Sequence, residues 1–357
     1  MTSQTRHKSP DKYVRVKFLT KCVLEHGESE WRKRLPGSGE HWNNCHFSFD
    51  PDEREYDWLL VYEDLPAAHQ TEILACHKDK TILATSEPTS VKHYGRRFLS
   101  QFGTVLTSQE NWAINHPNTV RSQSGMAWHY AFDERSSYDY LVNNPLLIKT
   151  HNASTICSTK RSPLTQHKRR YDFTMRLKTL LPELKIFGRG IRPVQEKADA
   201  IADYKYHIAI ENHRAPHHFS EKLIDVFLGM ALPVYYGAPN IYDYFPEESI
   251  VLIELNDPES AAECLKKLIR DNAWEKRLDA IKEARRRVLE EYHLFAMTDK
   301  IIASGKPQCR ATQQDFLLSR HEIRRRSFPA RLETIGEKAH VKARSFWSQV
   351  IRPYLAS

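Results

Sequence analysis

The chain contains no apolar run of the roughly 18 to 20 residues that a membrane-spanning helix needs, so no spanning segment is expected. Its first residues, MTSQTRHKSPDKY, hold no apolar h-region, and a cleaved signal peptide is not expected either. The six cysteines (Cys22, Cys45, Cys76, Cys157, Cys264 and Cys309) include no Cys-x-x-Cys pair. That scatter excludes a disulfide framework or a zinc ribbon and fits free thiols in a reducing, cytoplasmic setting. Internal repeats and low-complexity tracts are absent as well.

What the chain does have is length and apolar content. Its 357 residues, 40% apolar and 11% aromatic, suffice for two domains with sizeable cores. The net charge of +8 is uneven. From Cys309 to Ser357 there are ten Lys/Arg and four Asp/Glu, so 10 − 4 leaves +6 in the tail around RHEIRRRSFPARL. Such a tail reads as a solvated helical surface, or as a patch for an anionic membrane or for nucleic acid.

Five segments read as buried strands: YVRVKFLT (13–20), CHFSF (45–49), DWLLVYED (57–64), KTILATSEP (80–88) and GTVLTSQE (103–110). A helix is expected between them at PAAHQTEILACHKDK (66–80). Alternation of strand and helix over residues 1–150 predicts a parallel α/β domain, whose ligands belong at the strand ends. The stretch 152–170 reads as a Ser/Thr/Lys/Arg-rich connection. A helix from YDFTMRLKTLL, strands at LKIFGRG, HIAIEN, PVYYG and IVLIELND, and amphipathic helices from Pro258 then form a second α/β unit over 151–308. Residues 309–357 form a basic helical tail.

The densest polar patch lies in YKYHIAIENHRAPHHFSEKLIDVFLGMALPVYYGAPN (204–240). A strand ends at Glu211-Asn212, a loop follows, and Ser220 fits an N-cap for a helix with Leu223, Val226, Phe227 and Met230 on one face. A strand leading through a loop into a helix N-terminus binds anions, because free N–H groups and the positive end of the macrodipole face the loop. Lys222 in the first turn opposes the macrodipole and calls for an anion; a phosphate or the Glu211 carboxylate would serve. The histidines at 213, 217 and 218 have no further His or Cys at ligand spacing, so no metal is expected there.

The same stretch resembles the C-terminal donor-binding motif of the family 10 glycosyltransferases, the α-1,3/4-fucosyltransferases, as found in bacteria. The matching residues are Tyr204-Lys205, Glu211-Asn212, Ser220-Glu221-Lys222, Pro233-Val234 and Gly237. Weaker similarity lies upstream, where ATSEP (84–88) resembles the segment that carries the family's proposed base, here Glu87. HKRRYDF (167–173) resembles the segment whose arginine meets the donor pyrophosphate, with Arg170 the first fit and Arg169 the alternative. IFGRG (186–190) adds Arg189. His218 stands where the family commonly has a tyrosine, Ser220 replaces Thr, Ile210 replaces Phe and Ser86 replaces Gly.

The resemblance implies a GT-B architecture, in which two Rossmann-like domains with parallel sheets face a central cleft. It implies an inverting enzyme that moves L-fucose from GDP-β-L-fucose to a hydroxyl of a glycan or lipid-linked oligosaccharide. Glu87 would take the hydroxyl proton. Arg170, Arg189, His218, Ser220, Glu221, Lys222, Glu211 and Asn212 would form the donor site, with Lys222 and Arg170 stabilising the leaving diphosphate. Fixed cations in that role make an obligatory metal unnecessary. The tail would then rest on the inner face of the cytoplasmic membrane, with Phe328, Phe346, Trp347 and Ile351 dipping in. Two other readings stay open. Asp50-Pro51-Asp52 fits the metal clamp of a GT-A glycosyltransferase using another nucleotide sugar, although DPDERE also reads as a turn. The Arg-rich tail with Phe328 and Trp347 fits a nucleic-acid-binding protein, but no recognition motif accompanies it, so nucleic acid is not the expected partner.

Overall fold

The structure is a computed structural model that describes residues 13–21, 27–125, 127–162, 166–305 and 315–351. Cys22 and Cys309 lie outside these residues; Cys45, Cys76, Cys157 and Cys264 are free thiols.

The strands are β1 (Val14–Thr20), β2 (His41–Trp42), β3 (Cys45–Ser48), β4 (Trp58–Tyr62), β5 (Thr71–Ile73), β6 (Thr81–Thr85), β7 (Thr104–Thr107), β8 (Thr119–Arg121), β9 (His151–Ile156), β10 (Lys185–Phe187), β11 (Tyr204–Ile210), β12 (Leu232–Tyr236), β13 (Val251–Leu252) and β14 (Phe316–Leu318). Seven of them form one sheet in the order β2-β3-β1-β4-β6-β7-β8, parallel throughout except for the β2–β3 pair. A second sheet, wholly parallel, runs β10-β9-β11-β12-β13. Strands covered on both faces show near-continuous apolar runs, and WLLVY, TILAT and LPVYY are buried along their whole length for that reason. Two Rossmann-like units thus face each other across a cleft, the GT-B arrangement.

Four expectations need correction. Residues 66–80 form no helix: Thr71–Ile73 is a strand paired antiparallel with Phe316–Leu318, and only Lys78–Lys80 makes a 3-10 turn. After Pro66, the small and polar run AAHQ offers little apolar area for a helix to bury, whereas the tail strand offers β5 a ladder. Residues 152–156, expected as part of a connection over 152–170, lie in β9 at the heart of the second sheet, because the consecutive Ser154 and Thr155 side chains find buried partners. Ser154 Oγ donates to Ala200 O at 2.6 Å and Thr155 Oγ1 to Ile208 O at 2.8 Å. The helix after Ser220 ends at Leu228, so Met230 lies past it in a left-handed conformation (φ 57°). There Ala231 N–H bonds Val226 O and Met230 N–H bonds Phe227 O, which closes the last turn as a Schellman motif. The fourth correction concerns IVLIELND, of which only Val251–Leu252 pairs as a strand.

The units interleave. The helix Leu294–Ala303, within 151–308, packs into the core of the first sheet, where the Phe295 ring meets Phe18, Phe47 and Trp31. Trp128, Tyr130 and Leu141 join the core of the second unit in return. The tail doubles back onto the first unit. After β14, the helices Arg320–Arg326 and Phe328–Phe346 lie along it through Arg320–Asp64 (2.8 Å), Glu333–Arg97 (2.6 Å) and Glu337–His93 (3.0 Å). Its end reaches the second unit, where Gln349 accepts from Arg214 N and donates to Arg214 O, both at 2.8 Å.

Two buried imidazoles make the fold acid-sensitive. Burial holds His207 and His293 down to about 3. Among the described residues, neither ring nitrogen of His293 has a partner, and the ring is enclosed by Trp42, Trp128 and Phe295. On unfolding, both rings bind protons near the ordinary histidine value of about 6.5. Their contribution is therefore intact above about pH 6.5 and is lost as pH falls from there towards 3. We expect His293→Phe to keep the melting temperature at pH 7 and to raise it at pH 4.5 relative to the parent, measured by thermal unfolding at the two pH values. An identical drop in both proteins would show that His293 does not titrate on unfolding.

Candidate active site

The site begins with a buried carboxylate at the end of β11. Glu211 is 1% exposed and accepts Ser220 N–H at 2.7 Å and the Ser220 hydroxyl at 2.6 Å. These two bonds fold residues 211–220 back on themselves. Ser220 Oγ also accepts from Lys222 N at 3.3 Å, which caps the Glu221–Leu228 helix as its sequence predicts. Gly237 is required beside this corner, since a Cβ there would come within 1.9 Å of the Tyr235 hydroxyl and 2.7 Å of Glu211 Cγ.

In the second sheet the chain builds β9, adds β10 on one side, then crosses to place β11 on the other. The crevice beyond the carboxyl ends of β9 and β11 is the topological switch point, where open α/β sheets bind ligands. A cavity of about 280 Å³ lies there, lined by Ser158, His167, Arg170, Lys197, Asn212, Glu221 and Lys222 among others. Asn212, Glu221 and Lys222 also line a larger cavity of about 770 Å³ between the two units. Trp31, Arg34, Tyr62, Glu87, His129 and Phe132 form the opposite wall of that cleft.

The basic groups at the crevice are held by carboxylates. Lys222 Nζ lies 2.8 Å from Glu221, 3.7 Å from Glu211 and 3.2 Å from Ser220 Oγ, with a quarter of its side chain exposed to the cleft. The Glu211–Lys222 pair that the sequence left as an alternative to a phosphate is therefore present, and the lysine still opens on the cavity. Burial opposes its charge, but Glu221 and Glu211 hold the ammonium above its usual value. Burial likewise opposes the Glu221 charge, yet Lys222 and Lys197 keep that carboxyl well below the carboxylate range. Arg170, 9% exposed, donates to Asn212 Oδ1 at 2.8 Å and so links the first helix of the unit to the loop. Arg169, on the next turn of surface, lines a separate depression with Arg214 and Tyr236. Of the two arginines, Arg170 is the one that faces the crevice. Arg189 is exposed and lines neither cavity.

Each loop histidine has its own partner. His213 Nε2 meets Glu110 at 3.2 Å and Thr89 at 3.4 Å, and His217 Nδ1 meets the Tyr244 hydroxyl at 2.6 Å. His218 Nδ1 meets Ser108 Oγ at 3.2 Å, and burial together with His213 keeps its ring neutral. Since Glu110, Thr89 and Ser108 belong to the first unit, His213 and His218 tie the loop across the cleft. Asp50-Pro51-Asp52 is an exposed turn, closed by Asp52 N–H on Asp50 Oδ1 at 2.8 Å, and lines no part of the cleft.

Glu87 ends β6 and faces this site from the other side. Burial pushes its carboxyl up from 4.5, and the Glu63 carboxylate behind it pushes in the same direction. Sequence reasoning missed Glu63, Lys197 and the wall formed by Trp31, Arg34 and Phe132. Lys197 pairs with Asp225 at 2.8 Å and approaches Glu221 at 3.8 Å. Nothing in VQEKADA marks it, and Phe132 and Arg34 likewise stand in segments without a readable period.

Comparison with known proteins agrees with the residue pattern. Residues 149–298 match the model of glycosyltransferase family 10 (fucosyltransferase), C-terminal part. A 77-residue stretch is 38% identical to GDP-fucose protein O-fucosyltransferase 3 of Danio rerio, covering 21% of this chain and 17% of that protein. A 70-residue stretch is 33% identical to alpha-(1,3)-fucosyltransferase B of Drosophila melanogaster, covering 19% of this chain and 16% of that protein. The matched stretches thus span about a sixth of the length of these relatives. Among solved structures, an alpha1,3-fucosyltransferase with GDP-fucose aligns over 88% of this chain and 96% of its own, at 17% identity and a TM-score of 0.49.

The Lys222 ammonium lies against two carboxylates, so its removal leaves Glu211 buried beside Glu221 with no cation of its own. We expect Lys222→Met to lower stability by on the order of 2 kcal/mol, less than for a fully enclosed pair because the lysine is partly solvated. Urea unfolding at pH 7.5 measures this, and an unchanged midpoint would show that Lys222 does not balance the pair.

Proposed function

We propose that the chain is an inverting fucosyltransferase that moves L-fucose from GDP-β-L-fucose to a hydroxyl of a glycan acceptor, free or lipid-linked. The observation that carries this reading is the meeting, in one cleft, of a switch-point crevice holding Lys222, Arg170 and a capped helix start with a raised carboxyl, Glu87, on the facing unit.

The chemistry follows from that placement. The diphosphate lies at the start of the Ser220-capped helix, where the positive end of the macrodipole favours negative charge. The acceptor oxygen attacks the anomeric carbon from the cleft side as the bond to the diphosphate breaks, which inverts the configuration. The hydroxyl proton passes to Glu87, whose raised carboxyl is the better base near neutral pH. Lys222 and Arg170 meet the charge that builds on the leaving GDP. Lys222 must exchange part of its contact with Glu221 and Glu211 for phosphate, so the carboxylates keep the empty crevice near neutral. Glu211 and Asn212 act by shaping the loop, and Glu221 is placed to accept from donor hydroxyls. This mechanism needs no obligatory metal, because fixed cations take the charge.

Three readouts test it. GDP and GDP-fucose should raise the melting temperature where UDP-sugars do not, as expected for a ligand that binds the folded state alone. Glu87→Gln should keep that rise and lose transfer, with the parent's activity falling as pH drops through a limb above 4.5. Arg170→Ala should lower turnover by about 100-fold, the scale of one lost charge-stabilising donor. Full transfer by Glu87→Gln would remove it as the base.

For the tail we propose an anionic leaflet at the inner face of the cytoplasmic membrane as partner. Phe328, Leu332, Ile335 and Trp347 are 67%, 55%, 57% and 56% exposed, and the exposed Arg331 and Lys338 flank that row. This apolar set differs from the one expected from sequence, because Phe346 and Ile351 are half-buried. No helix among the described residues is long and apolar enough to cross a membrane. Phe328→Ser with Leu332→Ser should reduce co-sedimentation with anionic vesicles about tenfold, since roughly 1.4 kcal/mol of lost burial suffices, and leave GDP binding intact. Unchanged co-sedimentation would end the lipid reading.

A further inference from the structure

We infer that Glu63 is a positioning residue for Glu87: its carboxylate fixes the Ser86–Glu87 corner at the end of β6 and holds a permanent negative charge behind the Glu87 carboxyl. This rests on the reading of Glu87 as the base.

The observations are geometric. Glu63 follows β4 and is 5% exposed. Its backbone N–H bonds Ala84 O at 2.9 Å, and its φ of 74° is in the left-handed region that residues with a side chain seldom adopt. Strain of that kind persists only where surroundings over-determine it, and it collects at functional sites. Here it turns the side chain across the end of the neighbouring strand. Glu63 Oε1 accepts four donors: Ser86 N at 2.5 Å, Ser86 Oγ at 2.6 Å, Glu87 N at 3.1 Å and the Tyr94 hydroxyl at 2.5 Å. The second oxygen accepts from Lys92 Nζ. By contrast, the Glu87 carboxylate accepts no hydrogen bond among the described residues and lines the cleft.

A carboxylate with five donors stays ionised. Burial opposes this, but Lys92, Ser86 and Tyr94 hold Glu63 below its ordinary value. The charged groups facing Glu87 are Glu63 and Lys92 from its own unit and Glu221 and Lys222 from the other. Tyr94 and, beyond it, Arg320 from the tail back the Glu63 side, with the guanidinium 5.5 Å from the Tyr94 ring. A dense set of main-chain bonds to one side chain sets where Glu87 sits, and the charge on that side chain sets when Glu87 is free to take a proton.

The pH profile of turnover separates this role from mere scaffolding. Glu63→Gln keeps an acceptor oxygen and removes the charge, so the acid limb should move down by about one pH unit. Lys92→Met removes the opposing cation, so the limb should move up. Glu63→Ala should lower kcat by about 100-fold with GDP affinity unchanged, because the corner is released. If Glu63→Gln does not fold, Lys92→Met and Tyr94→Phe carry the measurement, the latter moving the limb down by removing a donor that keeps Glu63 ionised. A limb that ignores Glu63 and Lys92 while Glu87→Gln is inactive would overturn the inference and leave Glu87 as base. Normal turnover by Glu87→Gln would instead overturn the base assignment.

Discussion

A carboxylate taken out of water must find donors and a cation, or give up its charge. Glu211 is such a group, and the arrangement around it depends on how it is satisfied. Burial raises its carboxyl, Lys222 opposes that, and the two Ser220 donors complete the set. Because the Ser220 N–H and hydroxyl are both committed to Glu211, the helix must start at Ser220 and point its first turn at the crevice. Because Lys222 is drawn to the same carboxylate, its ammonium lies at the crevice mouth instead of in solvent. One buried charge therefore fixes the loop length, the helix direction and the place of the cation.

The same loop is bound to both halves of the molecule. His213 and His218 reach Glu110, Thr89 and Ser108 in the first unit, and Gln349 from the tail holds the Arg214 main chain. The tail is itself anchored on the first unit through Asp64, His93 and Arg97. A loop tied directly to the facing unit and indirectly through the tail transmits any shift between the units to the crevice. That is consistent with the basic tail, whose composition reads as a solvated helical surface or an anionic-surface patch, using Arg320, Glu333 and Glu337 in pairs within the chain.

The second unit was legible where its strands are apolar runs, as in β11 and β12, and where its site residues fall within a single stretch, 204–240. A strand end, a capping serine and a cation in the first turn are adjacent in sequence as well as in space. The first unit gave its strands by the same signal but hid its site. Glu63 and Glu87 are 24 residues apart and meet only because β4 and β6 are neighbours in the sheet. Arg34, His129 and Phe132 come from irregular segments with no period to read. The strand at 71–73 reads as a helix in sequence because its partner among the described residues lies some 245 residues later, at Phe316–Leu318. Likewise, Ser154 and Thr155 look like loop residues until Ala200 O and Ile208 O supply buried acceptors.

Under the proposed mechanism, the division of charge between the units follows from what each would have to do. A group that takes a proton near neutrality must be uneasy as an anion, so it belongs where it is partly buried and without donors, as Glu87 is. A group that receives a departing diphosphate must remain a cation, so it belongs among carboxylates that hold its proton, as Lys222 is. Placed side by side in one unit, these environments would cancel, since the lysine would acidify the glutamate. Setting them on opposite walls of a solvent-filled cleft weakens that coupling until substrate fills the space. Glu63 adds negative charge from within the Glu87 unit, opposing the pull of Lys222 on the Glu87 proton.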